Sequence, residues 1–198
     1  MSSRLSSLLV LLFLAASASG AERPSRADLQ QALELYSRSV VRVQGPRASG
    51  LGVIVGTDGQ VLTSVNHVSL ETAQVRFDGQ TLPATVVMAN AYLKVALVAA
   101  PAGTYPAVPV HASADSPVGQ WLIGVTPERG KQRARPVSGQ ARKAPEPFID
   151  VDVALPPGSP LFDTKGRLVA VSVQRRGPGC RALPIEAVKR QLTRVARP

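Results

Sequence analysis

The apolar and polar positions of the chain fall into two textures. Residues 24–39, PSRADLQQALELYSRS, place Leu29, Ala32, Leu33 and Tyr36 at helical spacing, with Ser25 or Asp28 able to open the helix. From residue 40 the pattern shortens to that of strands. VVRVQ (40–44) and LGVIV (51–55) are rich in β-branched residues, and Thr57-Asp58-Gly59 gives a hairpin signal before QVLTSV (60–65). AQVRF (73–77) meets a second such signal, Asp78-Gly79, before QTLPATVV (80–87). VALVAA (95–100) and QWLIGV (120–125) are short apolar runs. FIDVDVAL (148–155) and RLVAVSV (167–173) alternate at period two, with Thr164-Lys165-Gly166 turning between them. The tail, PIEAVKRQLTRV (184–195), returns to helical spacing at Ile185, Val188, Leu192 and Val195. Frequent short strands with a helix at each end predict an all-β fold, a barrel or a sandwich. The stretch from Pro127 to Pro147, rich in Arg, Lys, Pro and Gly, reads as a mobile loop.

The N-terminus adds a destination. MSSRLSSLLVLLFLAASASGAE has one early cation, Arg4, an apolar run from Leu8 to Ala16, and the small residues Ser19-Gly20-Ala21 before Glu22. That order reads as a signal peptide over 1–21, and the run is short for a membrane span. An uncleaved anchor is the competing reading. An exported chain meets an oxidising space, yet Cys180 is the only cysteine. No intrachain disulfide can form, so burial alone must hold the fold. The formal net charge is +10, and loss of Arg4 with the leader leaves about +9. Much of it lies in ERGKQRAR (128–135), Arg142-Lys143, Arg175-Arg176 and the C-terminus. Such a surface attracts acidic protein, anionic lipid or acidic glycan, or is simply solvated. Nucleic acid is excluded as a partner by export and by an aromatic content of 4%.

The order of these segments resembles trypsin-like serine proteases, most closely the HtrA/Deg type. ASGLGVIVGTDGQVLTSVNHV (48–68) resembles that family's first hairpin, which ends at the catalytic histidine. AYLKVALV (91–98) resembles the segment of the catalytic aspartate, and ADSPVGQWLIGV (114–125) the entry to the second barrel. FIDVDVALPPGSPLFDTKGRLVAVSV (148–173) resembles the nucleophile loop with its flanking strands, and GCRALPIEAVKRQL (179–192) the last strand and helix. The resemblance covers about residues 39–195. It implies two Greek-key β-barrels with a cleft between them, so that 22–39 is an N-terminal helical segment and 40–198 the double-barrel domain. Because the sequence ends with that helix, no PDZ domain is expected to follow it, and the leader and single cysteine lead to the expectation of a periplasmic or secreted location in a bacterium.

Carried over residue by residue, the family's site arrives damaged. Triad acyl transfer needs a nucleophilic serine, a histidine base, a carboxylate to orient that base, and N–H donors for the oxyanion. His67, in Asn66-His67-Val68, matches the histidine, although the run before it is one residue long. Lys94 stands at the position of the acid in Leu93-Lys94-Val95-Ala96-Leu97. A cation there would push the histidine pKa down instead of stabilising its charged form; the plain alternative is a solvated lysine. The nucleophile loop, Pro156-Pro157-Gly158-Ser159-Pro160-Leu161, is about three residues short of the family's Asn-Pro-Gly-Asn-Ser-Gly-Gly-Pro-Leu. Ser159 is the nucleophile by type, but Pro157 has no N–H for the oxyanion. Loss of one such donor costs about 100–1000-fold in rate.

These substitutions lead to the expectation of an exported protease homologue without protease chemistry, binding or regulating partners in the envelope. Its peptide partner would add a strand to a cleft edge, with Arg129, Lys131, Arg133, Arg135, Arg175 and Arg176 selecting acidic sequences. The alternative is an active serine endopeptidase using His67 and Ser159 with an unrecognised acid, Asp78 or Asp115. Cys180 reads as a buried structural thiol. His111 has no ligand-spaced neighbours, so no metal is expected. With no phosphate-cradling glycine loop, no cofactor is expected either.

Overall fold

Ser25 and Asp28 both open the first helix, each capping the other. In the computed structural model, Ser25 Oγ accepts from Asp28 N–H (3.2 Å) and Asp28 Oδ2 accepts from Ser25 N–H (2.8 Å), and α1 runs from Arg26 to Ser39. The structure describes residues 22–69, 72–128, 130 and 133–195. The signal peptide expected at 1–21 and the cations Arg129 and Lys131 lie outside the described residues.

The strands then close two barrels of six. The first holds β1 (Val40–Gln44), β2 (Ser49–Ile54), β3 (Gln60–Ser64), β4 (Thr72–Phe77), β5 (Gln80–Asn90) and β6 (Val95–Ala99), in the order β1-β2-β3-β6-β5-β4. The second holds β7 (Trp121–Thr126), β8 (Arg135–Lys143), β9 (Ile149–Val151), β10 (Pro160–Phe162), β11 (Leu168–Arg176) and β12 (Gly179–Pro184), in the order β10-β11-β12-β9-β8-β7. A 3-10 turn, Val65–His67, follows β3, and α2 (Ile185–Val195) follows β12. Both predicted D-G hairpins form at their predicted places, and barrels replace the open choice between barrel and sandwich.

Alternation along each strand sends successive side chains to different cores. Val43, Ile54, Val61, Val75 and Val98 fill the first barrel, and Leu122, Leu155, Leu161, Ala170 and Cys180 the second. A third cluster joins them. Val53, Leu62 and Leu97 of the first barrel pack with Ile123, Phe162, Leu168 and Leu183 of the second, with Ala32 and Leu35 of α1, and with Ile185 and Val188 of α2. β2 shows the logic in two residues: Ile54 points into its own barrel, and Val53 into the seam between barrels.

Two expectations need correction. The stretch 127–147 is not simply a mobile loop, because Arg135–Lys143 forms β8, hydrogen-bonded between β7 and β9. Its buried residues, Gly139 and Ala141, are small, so it shows no apolar alternation. The alternating run 148–155 forms a strand only at 149–151, where both β8 and β12 pair with it. Val153 and Leu155 still point inward, Leu155 into the space that Gly124 leaves on β7.

Candidate functional site

The groups that the resemblance singles out do meet at the seam of the two barrels. β2, β3 and the 3-10 turn hold His67 from the first barrel; the turn after β9 brings Pro156–Ser159 from the second. Leu51 O is the shared point. Thr63 Oγ1 donates to it at 2.7 Å, and a Cβ added to Gly158 would lie 1.8 Å from it. Gly158 also has φ +84°, so the loop needs glycine there for conformation and for space.

His67 is 6% exposed. Its ring lies on bare backbone, since a Cβ on Gly50 would come 2.0 Å from Cε1. Nδ1 is 3.1 Å from Thr63 Oγ1. The single proton of that hydroxyl is spent on Leu51 O, so Thr63 accepts from Nδ1–H and leaves Nε2 as the unprotonated nitrogen. A hydroxyl thus fills the orienting role that a carboxylate has in the family. Burial lowers the His67 pKa, with the Leu51 carbonyl opposing more weakly. The expected direction is therefore found, but its cause is desolvation and not Lys94.

Lys94 is neither solvated nor turned toward the histidine. It is half-buried, its backbone lies in the left-handed region (φ +57°), and its carbonyl accepts from Val65 N–H at 3.3 Å. Nζ reaches across the seam to Gln174 Oε1 on β11, 2.8 Å away. The other acids do not replace it. Asp78 is exposed in the β4–β5 turn, Asp115 is exposed between β6 and β7, and no described hydrogen bond joins either to His67.

The 156–159 loop has turned its polar groups inward. Ser159 is fully buried, and its hydroxyl donates to Pro156 O at 2.7 Å instead of facing His67. Its N–H donates to the same carbonyl at 3.3 Å. Gly158 N–H donates to Ser172 O (2.7 Å), and Ser172 N–H returns a bond to Ser159 O (2.8 Å), so the loop extends the pairing of β10 alongside β11. Pro157 has no N–H to offer. Each donor of the segment is therefore already paired.

The remaining predicted residues scatter. Arg133 and Arg135 are exposed near the start of β8, and Arg175 and Arg176 are exposed at the end of β11. Strand register sets Arg175 level with Cys180, Val151 and Ala141. Ala141 lies six residues along β8 from Arg135, roughly 20 Å by strand rise. The two pairs do not form one patch. Cys180 is buried at 1% exposure, and desolvation pushes its thiol up to about 11. Among the described residues no cluster of three His, Cys, Asp or Glu side chains is placed to hold a metal. The sequence reading missed Gln174, Thr63 and Gly50, the residues that position Lys94 and His67. Gly50 alone left a local sign, one of two alternating glycines at the start of a strand-like run.

Two six-stranded barrels with this histidine after the first hairpin define the trypsin-like class, and the chain belongs to that family, of HtrA/Deg type. Residues 50–171 match the family described as "Trypsin-like peptidase domain". The chain is 32% identical over 146 residues to the "Probable periplasmic serine endoprotease DegP-like" of Ectopseudomonas mendocina (strain ymp), an alignment covering 67% of this chain and 31% of that protein. It thus spans about a third of the length of that relative. The crystal structure of the serine endoprotease from Yersinia pestis superposes with a TM-score of 0.72 at 20% identity, covering 89% of this chain and 68% of that one. "Rv3671c protease, inactive form" gives 0.69 at 18% identity, covering 89% and 98%. The two structural likenesses speak to the fold.

Proposed function

We propose that this chain is a catalytically inactive trypsin-like protease homologue that works by binding, in the cell envelope. The observation that carries the reading is the state of the 156–159 loop. A working acyl-transfer site holds N–H donors unpaired for the oxyanion and a hydroxyl turned to its base. Here Ser159 Oγ, Ser159 N–H and Gly158 N–H are all donated to backbone carbonyls, and Pro157 has nothing to donate. The orienting acid is absent from His67, whose Nδ1 rests on Thr63. The envelope location is supported by the relatives, which are named as periplasmic proteins, and by the N-terminal sequence over 1–21. Binding is supported by β11, which runs past β10 with β12 on one side only, leaving 173–176 as an open strand edge.

Labelling with a fluorophosphonate tests this. The folded protein is expected to remain unlabelled and to leave casein intact. Labelling that vanishes in both Ser159→Ala and His67→Ala would establish an active endopeptidase and overturn the reading.

A further inference from the structure

The charge of the seam has changed sign, and the reversal has a ligand chemistry. The position that the resemblance gives to a carboxylate carries an ammonium, Lys94. Its one described side-chain partner is neutral, Gln174 Oε1 at 2.8 Å. None of the three ion pairs among the described residues includes it, since Asp150, Asp152 and Asp163 are each engaged by an arginine. A half-buried cation without a counter-charge is costly. Lys94 is also one of only two non-glycine residues at positive φ among the described residues. The other, Asp78, sits at the tip of an exposed hairpin, where such a conformation is ordinary. Strain coinciding with an uncompensated charge at a seam marks a place kept for something other than stability.

The surroundings say what the something is. Gln174, which holds Nζ, belongs to the open edge of β11, and Arg175 and Arg176 continue that edge with exposed guanidinium groups that enter none of the described salt bridges, although the charge of Arg176 is felt by Asp150. His67 is buried and desolvation lowers its pKa, so it is neutral and adds no charge of either sign to offset Lys94. Tyr92, 71% exposed, stands two residues before Lys94 and leans on Phe148, over which Arg181 lies. Cations and aromatic faces thus flank a strand edge whose one side is taken by β12 and whose other side can pair with an added strand.

We infer that the seam receives an extended peptide bearing carboxylates, and that Lys94 is the residue that selects them. This rests on the binding reading above and adds the class of partner. The backbone of the peptide adds to β11 at 173–176, and a carboxylate accepts from Lys94 Nζ, replacing or joining Gln174. A side-chain carboxylate and a free C-terminus share this chemistry.

Fluorescence anisotropy with three rhodamine-labelled peptides separates these sources. One alternates Val and Glu with an amidated end, one has Gln for every Glu and an amidated end, and one has the Gln sequence with a free carboxylate. The first or the third is expected to bind at least about 10-fold tighter than the amidated Gln peptide. Lys94→Met and Lys94→Gln should remove that preference, bringing the carboxylate-bearing peptides to the affinity of the amidated Gln peptide in the same variant. Circular dichroism confirms that each variant is folded; Gln174→Glu, which gives Lys94 an internal carboxylate, is expected to remove the same preference and serves the comparison if neither Lys94 variant folds. A preference that survives loss of the Lys94 charge overturns the assignment, and so does equal binding of all three peptides, while the inactive-homologue reading stands. Lys94-dependent capture of phosphatidylglycerol vesicles without peptide binding overturns it in favour of a membrane surface. Fluorophosphonate labelling would sink the parent reading separately.

Discussion

The two halves of the seam dispose of their polar groups differently. On the first-barrel side, His67 keeps its place at the end of the 3-10 turn, one ring nitrogen oriented by Thr63 and the other bare. On the second-barrel side, the 156–159 loop has closed on itself, with hydroxyl and N–H groups spent on Pro156 O and Ser172 O. The difference teaches what a catalytic loop requires beyond its residue types. An oxyanion hole is a set of buried donors left deliberately unpaired, which an ordinary loop avoids because an unmade buried hydrogen bond costs about 1–3 kcal/mol. Where no oxyanion has to be held, pairing those donors is the stable outcome. His67 faces a weaker pull, because its one N–H is already paired with the Thr63 hydroxyl.

The comparison breaks first at Gly158. Alanine there must adopt φ +84° and place Cβ against Leu51 O. Gly158→Ala should cost about 3 kcal/mol or more in urea unfolding, and a cost below about 1 kcal/mol would mean that the loop is free to move off Leu51. Gly50→Ala comes next, at about 2 kcal/mol, because its Cβ would enter the imidazole. Combined with His67→Ala the two losses should fall short of additivity by about 1 kcal/mol, whereas simple additivity would show that the ring does not rest on Gly50.

A smaller effect sharpens the His67 side. Its folded pKa lies below the unfolded value of 6.5. Above that value both states are neutral and pH has no effect through this group. As pH falls below it, the unfolded chain takes a proton that the folded chain refuses, so stability declines until the folded pKa is passed. His67→Gln should flatten that decline between pH 6.5 and the acid limb. A second decline belongs to Asp150, whose carboxyl is held low by the Arg181 hydrogen bonds; its contribution is present above the unfolded value of 3.8 and lost below it. The smallest expected signal is none at all: native Cys180 should resist iodoacetamide at pH 8 and react fully in denaturant.

The fold was largely legible because it rests on local periods. Val40–Gln44, Gln60–Ser64 and Val95–Ala99 announce themselves by β-branched runs, and Asp58-Gly59 and Asp78-Gly79 by turn chemistry. β8 was hidden because RPVSGQARK turns only Gly139 and Ala141 fully inward; its strand state comes from β7 and β9, which no local window sees. The site was legible by residue type and illegible by contact. Nothing near Lys94 in the chain points to Gln174, eighty positions away, and nothing in Pro-Pro-Gly-Ser says that the hydroxyl bonds the carbonyl three residues back.

The apolar seam has a mechanical consequence. Val53 and Leu97 of one barrel, Phe162 and Leu183 of the other, and side chains of both helices belong to a single buried cluster. Neither barrel can rotate against its neighbour without opening that cluster, so the molecule should melt as one cooperative unit and has no hinge between its halves. A peptide of the kind proposed would have to be accommodated by side chains and short turns, between walls that already fix the spacing between Lys94 and Gln174 on β11.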